Sequence, residues 1–412
     1  MAVTGTIPST VAPSSKSWLG VGRELVTGLS PVLPTNTIPL DMSSYQPEDT
    51  PKFLHDEAIR GVMASLYNDI LGVEDATFSF GGPMFLDVGG FWIDNAFGDL
   101  STTGSTPTSS TTINSGGSIG STTVVLASGS GYSSASLVQI GTGSVAEVVV
   151  LSGAPAGGTI TFANDPLRFT HGSGAAASIV AAPFTHKWAI LNSGSGQPPT
   201  TTLTDYTSLT ASTGARSYPS ACVSQMDFSG NAEQLLMQKV SGNSWLSAPA
   251  VSTPTNTTAF TIPQPNWLST VTIGGSQFYN VGEWTIAVKR MLQVYWTAQD
   301  AQTPYIIARG GLNISGGLNF TVAANETPLT DMLAGSPLAI SITMSNGLAG
   351  ASLLSLTITT TSAVFEKSKP TRNAVLIGYD NTFEAVANTT DVGGSGGLGP
   401  GTITLVNAIP TY

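Results

Sequence analysis

Alternation of apolar and polar residues is the clearest pattern in this chain, and it is concentrated in the C-terminal half. Over residues 282–296 every second residue is apolar apart from Arg290, and the intervening residues are mostly polar. Residues 311–322, 338–344 and 354–358 repeat the pattern. A period of two is that of a β-strand with one buried face. The pattern therefore predicts several long strands in an antiparallel sandwich or open barrel.

Two segments carry the signals of a helix instead. The first begins at Thr50 and Pro51, a favourable N-cap and first helical residue, and would end at Gly72. Its apolar residues recur at helical spacing, and they are Ile59, Val62, Met63, Leu66 and Ile70. The second and shorter helix is predicted over 327–335, which has an N-cap, a proline and a final glycine. Residues 73–99 are predicted to form short strands and turns.

Shifts in composition divide the chain into regions. Residues 1–48 contain six prolines, and ten apolar residues lie between positions 18 and 40. They predict an extended arm that packs on its own domain or on a neighbour. Residues 101–120 are mostly Ser, Thr and Gly, and short β-like runs follow at intervals of roughly ten residues. The runs are 122–126, 136–140, 146–151 and 159–162. We therefore predict a small all-β domain over 107–182, inserted into a larger domain formed by 49–106 and 183–412.

Composition and charge exclude several classes of protein. Only 9% of the 412 residues are charged, against about 25% in a typical soluble domain. With 41% hydrophobic residues the chain is not disordered, and Ala, Glu, Lys, Leu and Arg at heptad spacing are too scarce for a helical bundle. The net charge of −11 disfavours binding to a phosphate backbone through a basic patch. Cys222 is the only cysteine, so no intrachain disulfide can form. No secretory signal or membrane span is predicted.

Candidates for catalysis or metal binding are three histidines, one cysteine and one pair of nearby acids: His55, His171, His186, Cys222, Asp94 and Asp99. The histidines lack partners at metal-ligand spacing. The cysteine alternates with Met226 and Phe228, so we expect a buried, unreactive thiol. The two acids could form a glycosidase pair, but nothing else indicates a sugar cleft. We therefore expect no enzymatic activity, no metal site and no cofactor.

Several segments, taken in order, carry a resemblance to a known family. They are FLHDEAIRG (53–61), GGPMFLD (81–87), NAFGD (95–99), FTHKWAILN (184–192), GQPP (196–199), TLTDY (202–206), the pair of strands over 218–238, and 283–290 with GGL (310–312). Together they resemble the major tail tube proteins of long-tailed, siphovirus-type bacteriophages, especially those of actinobacterial hosts. The order of the segments along the chain makes the resemblance specific. Together the segments span most of the chain outside 107–182.

The resemblance implies both a fold and a function. The fold would be mainly β, an antiparallel β-sandwich or partial barrel of the tail-tube type with one flanking helix. The inserted domain resembles the small β-domains that decorate phage structural proteins. Protomers would form hexameric rings that stack into a hollow conduit for genome delivery. The implied partners are other copies of the chain, the tape measure protein, the tail terminator and the distal tail or baseplate proteins. DNA would be present only in transit.

A polar strand face is the candidate site for this function. Its residues, expected to face the lumen or a subunit interface, are Asn313, Ser315, Asn319, Thr321, Glu283 and Thr285. A nearly uncharged polar face suits a channel that must not hold DNA, and net acidity adds repulsion of phosphate. The arm 1–48, the Gly-rich loop 391–401 and a long β-hairpin are expected to contact neighbouring rings. The protein would reside in the virion tail, with no membrane association, after synthesis in the host cytoplasm.

Two other functions remain open from the sequence. A capsid or capsid-decoration protein would also be β-rich and would assemble through its surface, but into shells or trimers. A carbohydrate-binding or carbohydrate-hydrolysing tail-fibre component would use aromatic residues on its strands to bind sugars. The assembled particle distinguishes the first alternative, and sugar binding or turnover distinguishes the second.

Overall fold

A computed structural model describes most of the chain. The described residues are 14–24, 32–39, 44–115, 117–163, 166–207, 214–257, 261–321, 327–372 and 376–412. Among the described residues, strands account for 56% and helices for 7%, and the strand pairings are antiparallel. The predicted mainly-β class is therefore confirmed.

The strands follow one another along the chain with few interruptions. In order they are β1 Trp18–Arg23, β2 Asn36–Ile38, β3 Gln46–Asp56, β4 Asn68–Pro83, β5 Gly98–Ser115, β6 Thr123–Leu126, β7 Leu137–Ile140, β8 Glu147–Val150, β9 Thr159–Thr161, β10 Ala176–Ile190, β11 Thr201–Tyr206, β12 Ala215–Asn231, β13 Met237–Ser244, β14 Ala248–Pro249, β15 Ser269–Ile273, β16 Ser276–Phe278, β17 Val281–Tyr295, β18 Ile306–Thr321, β19 Leu338–Ser345, β20 Ser355–Arg372, β21 Ile377–Ala385 and β22 Thr402–Asn407. The two α-helices found among the described residues are α1 Gly90–Phe97 and α2 Thr327–Ala334.

One group of strands forms what we call the front sheet. Its order is β3, β4, β13, β12, β17, β18, β21 and the second half of β20. The alternation seen in the sequence decides which side chains point inward. In β17, Trp284 is 3% exposed and Ile286 is 2% exposed, whereas Glu283 of the same strand is exposed to solvent. The predicted two-faced strand over 282–296 is confirmed.

A second group of strands packs behind the first. Its order is β16, β15, β19, the first half of β20, β22, β10 and β5. Strand β20 belongs to both groups, because residues 355–363 pair with β19 and residues 363–372 pair with β21. Apolar side chains of both groups form one core. Burying each large side chain there stabilises the fold by roughly 1.5–3 kcal/mol.

The predicted helix over 50–72 is wrong. Strands β3 and β4 form a long hairpin there, with Phe53 opposite Leu71 and Asp56 opposite Asn68. The five apolar residues at helical spacing, Ile59 to Ile70, are exposed to solvent. Their spacing therefore does not mark the buried face of a helix. Pro51 lies in the edge strand β3, where a proline is tolerated. Gly61 has a φ of +74°, which interrupts a helix.

The first helix lies instead within the region predicted to form short strands and turns. All eight residues of α1 are buried. Gly89 is the N-cap of this helix and Gly90 is its first residue. Gly98 ends the helix with a φ of +84°, as glycine commonly does at a helix C-terminus. The predicted short helix is confirmed as α2, which is followed by Gly335 with a φ of +63°.

The described part of the N-terminal arm packs on its own chain. Strand β1 pairs with β11 on one side and with β2 on the other. Leu19 and Val21 are 1% and 0% exposed. These contacts match the first of the two interpretations of residues 1–48. Residues 1–13, 25–31 and 40–43 of the arm lie outside the described part of the chain.

Residues 107–182 have an apolar cluster of their own, which includes Val138, Ile140 and Ile160. The four predicted short runs appear as β6, β7, β8 and β9. The Ser/Thr/Gly stretch was not predicted to be a strand, yet it forms most of β5. Strands β5 and β10 pair from the large core into this region, with three shifts of register between Ala177 and Thr185. The proposed boundaries at 107 and 182 stay a prediction, and both fall within paired strands.

Candidate functional surface

The six candidate residues share the outer face of the front sheet. Glu283 lies opposite Asn319, and Thr285 lies opposite Gly317. Ser315 is half-buried, and the other five side chains are exposed. Strand alternation places all six on the face away from the core, because the residues between them are buried apolar ones. Whether this face lines a lumen or an interface stays a prediction.

Residues of neighbouring strands extend this surface into rows across the sheet. One row contains Gly81, Lys239, Asp227, Ala287, Ser315 and Glu384. The next charged row contains Asn231, Glu283, Asn319 and Asp380. The surface is thus less neutral than the sequence indicated. The acids of β21 were missed because no strand was predicted there, although their alternation with buried Phe383 could have revealed it.

Hydrogen bonds between strands satisfy many of these polar groups. The Asn313 amide donates to a Glu384 carboxylate oxygen at 2.6 Å. The Lys367 ammonium pairs with the Asp380 carboxylate. A hydrogen bond with Glu384 raises the pKa of Glu366 above its usual value. Acids and lysines are interspersed on this face, which disfavours retention of a phosphate backbone.

The long hairpin is the second candidate surface. We call residues 57–67, between β3 and β4, the hairpin tip. Ile59 and Met63 are fully exposed at 100% and 104%, and Val62 is 61% exposed. The stem adds further exposed apolar side chains, namely Phe53, Leu54, Ile70 and Leu71. Contiguous exposed apolar side chains of this kind mark an interaction surface.

The Gly-rich loop 391–401 is held against the body of the protein. Ser395 donates from its backbone N–H and its hydroxyl to Asp99, at 2.8 and 2.6 Å. The Asn192 amide donates to the Gly396 carbonyl at 2.7 Å. Leu398 is nevertheless 52% exposed. The loop therefore presents a fixed surface, and its contact with a neighbouring ring stays a prediction.

The three histidines have different surroundings. His55 is exposed and lies 3.0 Å from an Asp69 oxygen. His171 is buried, and its Nε2 lies 2.7 Å from a Glu147 oxygen. His186 is fully buried. Among the described residues no group of three or more His, Cys, Asp or Glu side chains is arranged to hold a metal ion.

Cys222 is a buried free thiol, as its alternation with Met226 and Phe228 predicted. Burial raises the pKa of this thiol above its usual value. A thiol that is hard to ionise and out of contact with solvent is a poor nucleophile.

Asp94 belongs to a buried network of ion pairs. Its two oxygens accept hydrogen bonds from the Arg168 guanidinium at 2.8 and 3.0 Å. One of them also accepts from the Trp188 indole N–H at 3.1 Å. The Arg23 guanidinium lies 3.7 Å away. The network joins α1, β10, the arm and the inserted region, so this carboxylate is engaged in tertiary structure.

His186 has two well-defined hydrogen-bond partners. Its Nε2 lies 2.8 Å from the Ile409 carbonyl, which can only accept, so Nε2 carries the hydrogen. Its Nδ1 lies 3.0 Å from the Thr102 hydroxyl and accepts from it. Burial lowers the pKa of His186 from 6.5 to about 4. The fold therefore requires the neutral imidazole.

This requirement predicts a loss of stability in acid. Between pH 6.5 and about 4 the unfolded chain binds a proton at His186 that the folded chain does not bind. Stability therefore falls as the pH falls through this window, by on the order of 3 kcal/mol. Burial raises the pKa of Asp205 to about 6, which acts in the opposite direction. Comparison with His186→Gln removes the Asp205 contribution, since both proteins share it.

The measurement is the free energy of unfolding in urea at pH 7 and pH 4.5. Between these pH values, we expect wild type to lose about 2–3 kcal/mol more than His186→Gln. An equal loss in the two proteins would contradict the assignment.

Comparison with known proteins leaves the chain without an assigned family. No protein-family model matches it, and no curated protein matches it. Among the described residues no helix has the length and apolar character needed to cross a membrane.

Proposed function

We propose that this chain is a structural subunit of a bacteriophage tail tube. Its copies would assemble into stacked, hexameric rings around a tape measure protein and leave a hollow conduit for DNA. The tail terminator and the distal tail or baseplate proteins would close the two ends. The long hairpin with its uncovered apolar tip is the observation that carries this proposal.

The exposed apolar residues of the hairpin support assembly. There are eight of them: Phe53, Leu54, Ile59, Val62, Met63, Leu66, Ile70 and Leu71. At roughly 100 Å² each, they offer about 800 Å², which is one partner's share of a standard protein interface. A monomer would expose all of this surface to water. Association with other copies removes that cost.

The outer face of the front sheet supports a conduit. It is broad because eight strands contribute to it, and its charges are mixed in sign. Asp227 lies across from Lys239, and Asp380 pairs with Lys367. With a net charge of −11 on each chain, the assembled wall would repel phosphate groups rather than retain them. This combination favours passage of DNA over binding.

The proposal predicts an effect of the hairpin tip on assembly. Purified wild-type protein at high concentration should form rings or tubes in negative-stain electron microscopy. Ile59→Ser/Met63→Ser should leave single protomers or isolated rings, because the apolar contact between layers is lost. Its free energy of unfolding should change by no more than about 0.5 kcal/mol, since both side chains are exposed.

Val251→Ser/Tyr279→Ser is the matched control. These side chains are 74% and 87% exposed but lie outside the hairpin, so tubes should still form. Monomers alone in the wild-type sample, at high concentration and in phage lysates, would overturn the proposal. Shells or trimers would instead support a capsid or decoration protein. Binding or turnover on a sugar array would support a tail-fibre component.

A further inference from the structure

An apolar groove of about 690 Å³ lies between three loops. The segments that line it are 261–265, 346–354 and 407–409, together with Asp87. Ile262 and Leu348 on its rim are 78% and 56% exposed. Asp87 is the one charged residue of the lining, and it accepts a hydrogen bond from the Thr261 hydroxyl at 2.6 Å. A cavity of this size can enclose several side chains.

The groove and the hairpin tip lie at opposite ends of strand β4. The strand begins at Asn68 beside the tip and ends at Pro83. Just beyond that end, the Met84 N–H donates to the Leu236 carbonyl, and the Leu236 N–H donates to the Gln264 carbonyl. Gln264 lines the groove. The 16 residues of β4 span roughly 50 Å, so one chain cannot place its own tip in its own groove.

We propose that this groove receives the hairpin tip of a second copy of the chain. The inference rests on the proposed function and names the surface that the tip binds. Ile59 and Met63 supply apolar side chains, and Ile262 and Leu348 supply apolar walls. The tip has no net charge, because Glu57 and Arg60 are its two charged residues, and the groove has one charged residue, Asp87, so both surfaces are mainly apolar.

The geometry of this contact determines the form of the assembly. Tip and groove are different surfaces at opposite ends of one chain, so the contact is heterologous. A heterologous contact that does not close on itself produces an open stack. After one contact, one copy keeps a free groove and the other keeps a free tip, so a further copy can add at either end. The result is growth along one axis, as a tube requires.

Cross-linking between two single-site variants tests the proposal. Met63→Cys places a thiol on the tip, and Leu348→Cys places one on the groove rim. Cys222 is buried, so it does not compete for the reagent. The two variants are mixed at the concentration that gives tubes, treated with a short bis-maleimide and digested for peptide identification. We expect the Met63–Leu348 cross-link at about ten times the yield obtained with Val251→Cys in place of Leu348→Cys.

The outcomes separate this inference from the proposed function. Tubes that form without the Met63–Leu348 cross-link would overturn the groove assignment and leave the tube function standing. Equal yields with Leu348→Cys and Val251→Cys would overturn it as well. No cross-link and no assembly of wild-type protein would overturn both. As a second readout, Leu348→Asp should prevent stacking while the free energy of unfolding stays within about 0.5 kcal/mol of wild type.

Discussion

Asp94→Ala should destabilise the protein by roughly 3–5 kcal/mol, which is a large part of the stability of a typical domain. Asp94 is 2% exposed and accepts hydrogen bonds from Arg168 and from the Trp188 indole. Its removal leaves a partly buried guanidinium next to an apolar core without its carboxylate. Breaking a buried pair in this way costs far more than the pair contributes, because the remaining charge stays desolvated.

Asp56→Ala is the control for this prediction. It removes an ion pair with Arg60, four residues along the chain, in which the Arg60 side chain is 53% exposed. An exposed pair contributes at most about 1 kcal/mol, so the loss of stability should be small. Urea unfolding followed by tryptophan fluorescence measures both variants. Similar losses for the two would show that the Asp94 network does not hold the inserted region and the arm in place.

Phe383→Ala should have an effect of similar size, about 3–5 kcal/mol. Phe383 is 1% exposed and meets the Phe365 ring edge-on, at 6.2 Å between centroids. The ring also fills the space beside Gly316, where an added Cβ would lie 2.5 Å from the ring. Gly316 has no side chain that could fill the space that the ring leaves. The cavity therefore remains, and its cost adds to the lost burial.

Phe53→Ala provides a matched comparison, because it removes the same side chain from the exposed hairpin stem. Phe53 is 51% exposed, so the free energy of unfolding should change by about 0.5 kcal/mol or less. The two variants should therefore differ by at least about 2 kcal/mol in urea unfolding. Under the proposed function, Phe53→Ala should reduce assembly despite its normal stability. Equal stability of the two variants would contradict the placement of Phe383 in the core.

The two-faced strands were predictable from the sequence, because alternate residues of a strand point to opposite faces and the buried face is apolar. The face that contains Trp284 and Ile286 is apolar, so the core side of β17 was predictable without knowing its partners. The hairpin was not predictable for the opposite reason. Ile59, Val62 and Met63 have helical spacing, but no core lies beside them. Spacing alone does not reveal whether apolar residues pack within the chain or stay exposed at a surface that can bind another molecule.

The candidate surface was predictable in part. Glu283, Thr285 and Asn319 lie on strands whose alternation was evident, so their common face followed from periodicity. Asp380 and Glu384 lie on that face only because β21 pairs with β18. The two strands are about sixty residues apart in the chain. Sequence spacing does not specify which strands become neighbours.

By itself, the sequence determined a mainly-β protein with few charges, long two-faced strands and a buried, isolated thiol. These features are local, since they depend on residue type and on a period of two. Only the tertiary structure decided that residues 46–83 form a projecting hairpin, that Arg168 meets Asp94 across 74 positions, and that an apolar groove lies at the far end from the tip. Each of these depends on contacts between distant segments, whose free energy is set by packing and desolvation and leaves no periodic signal in the chain.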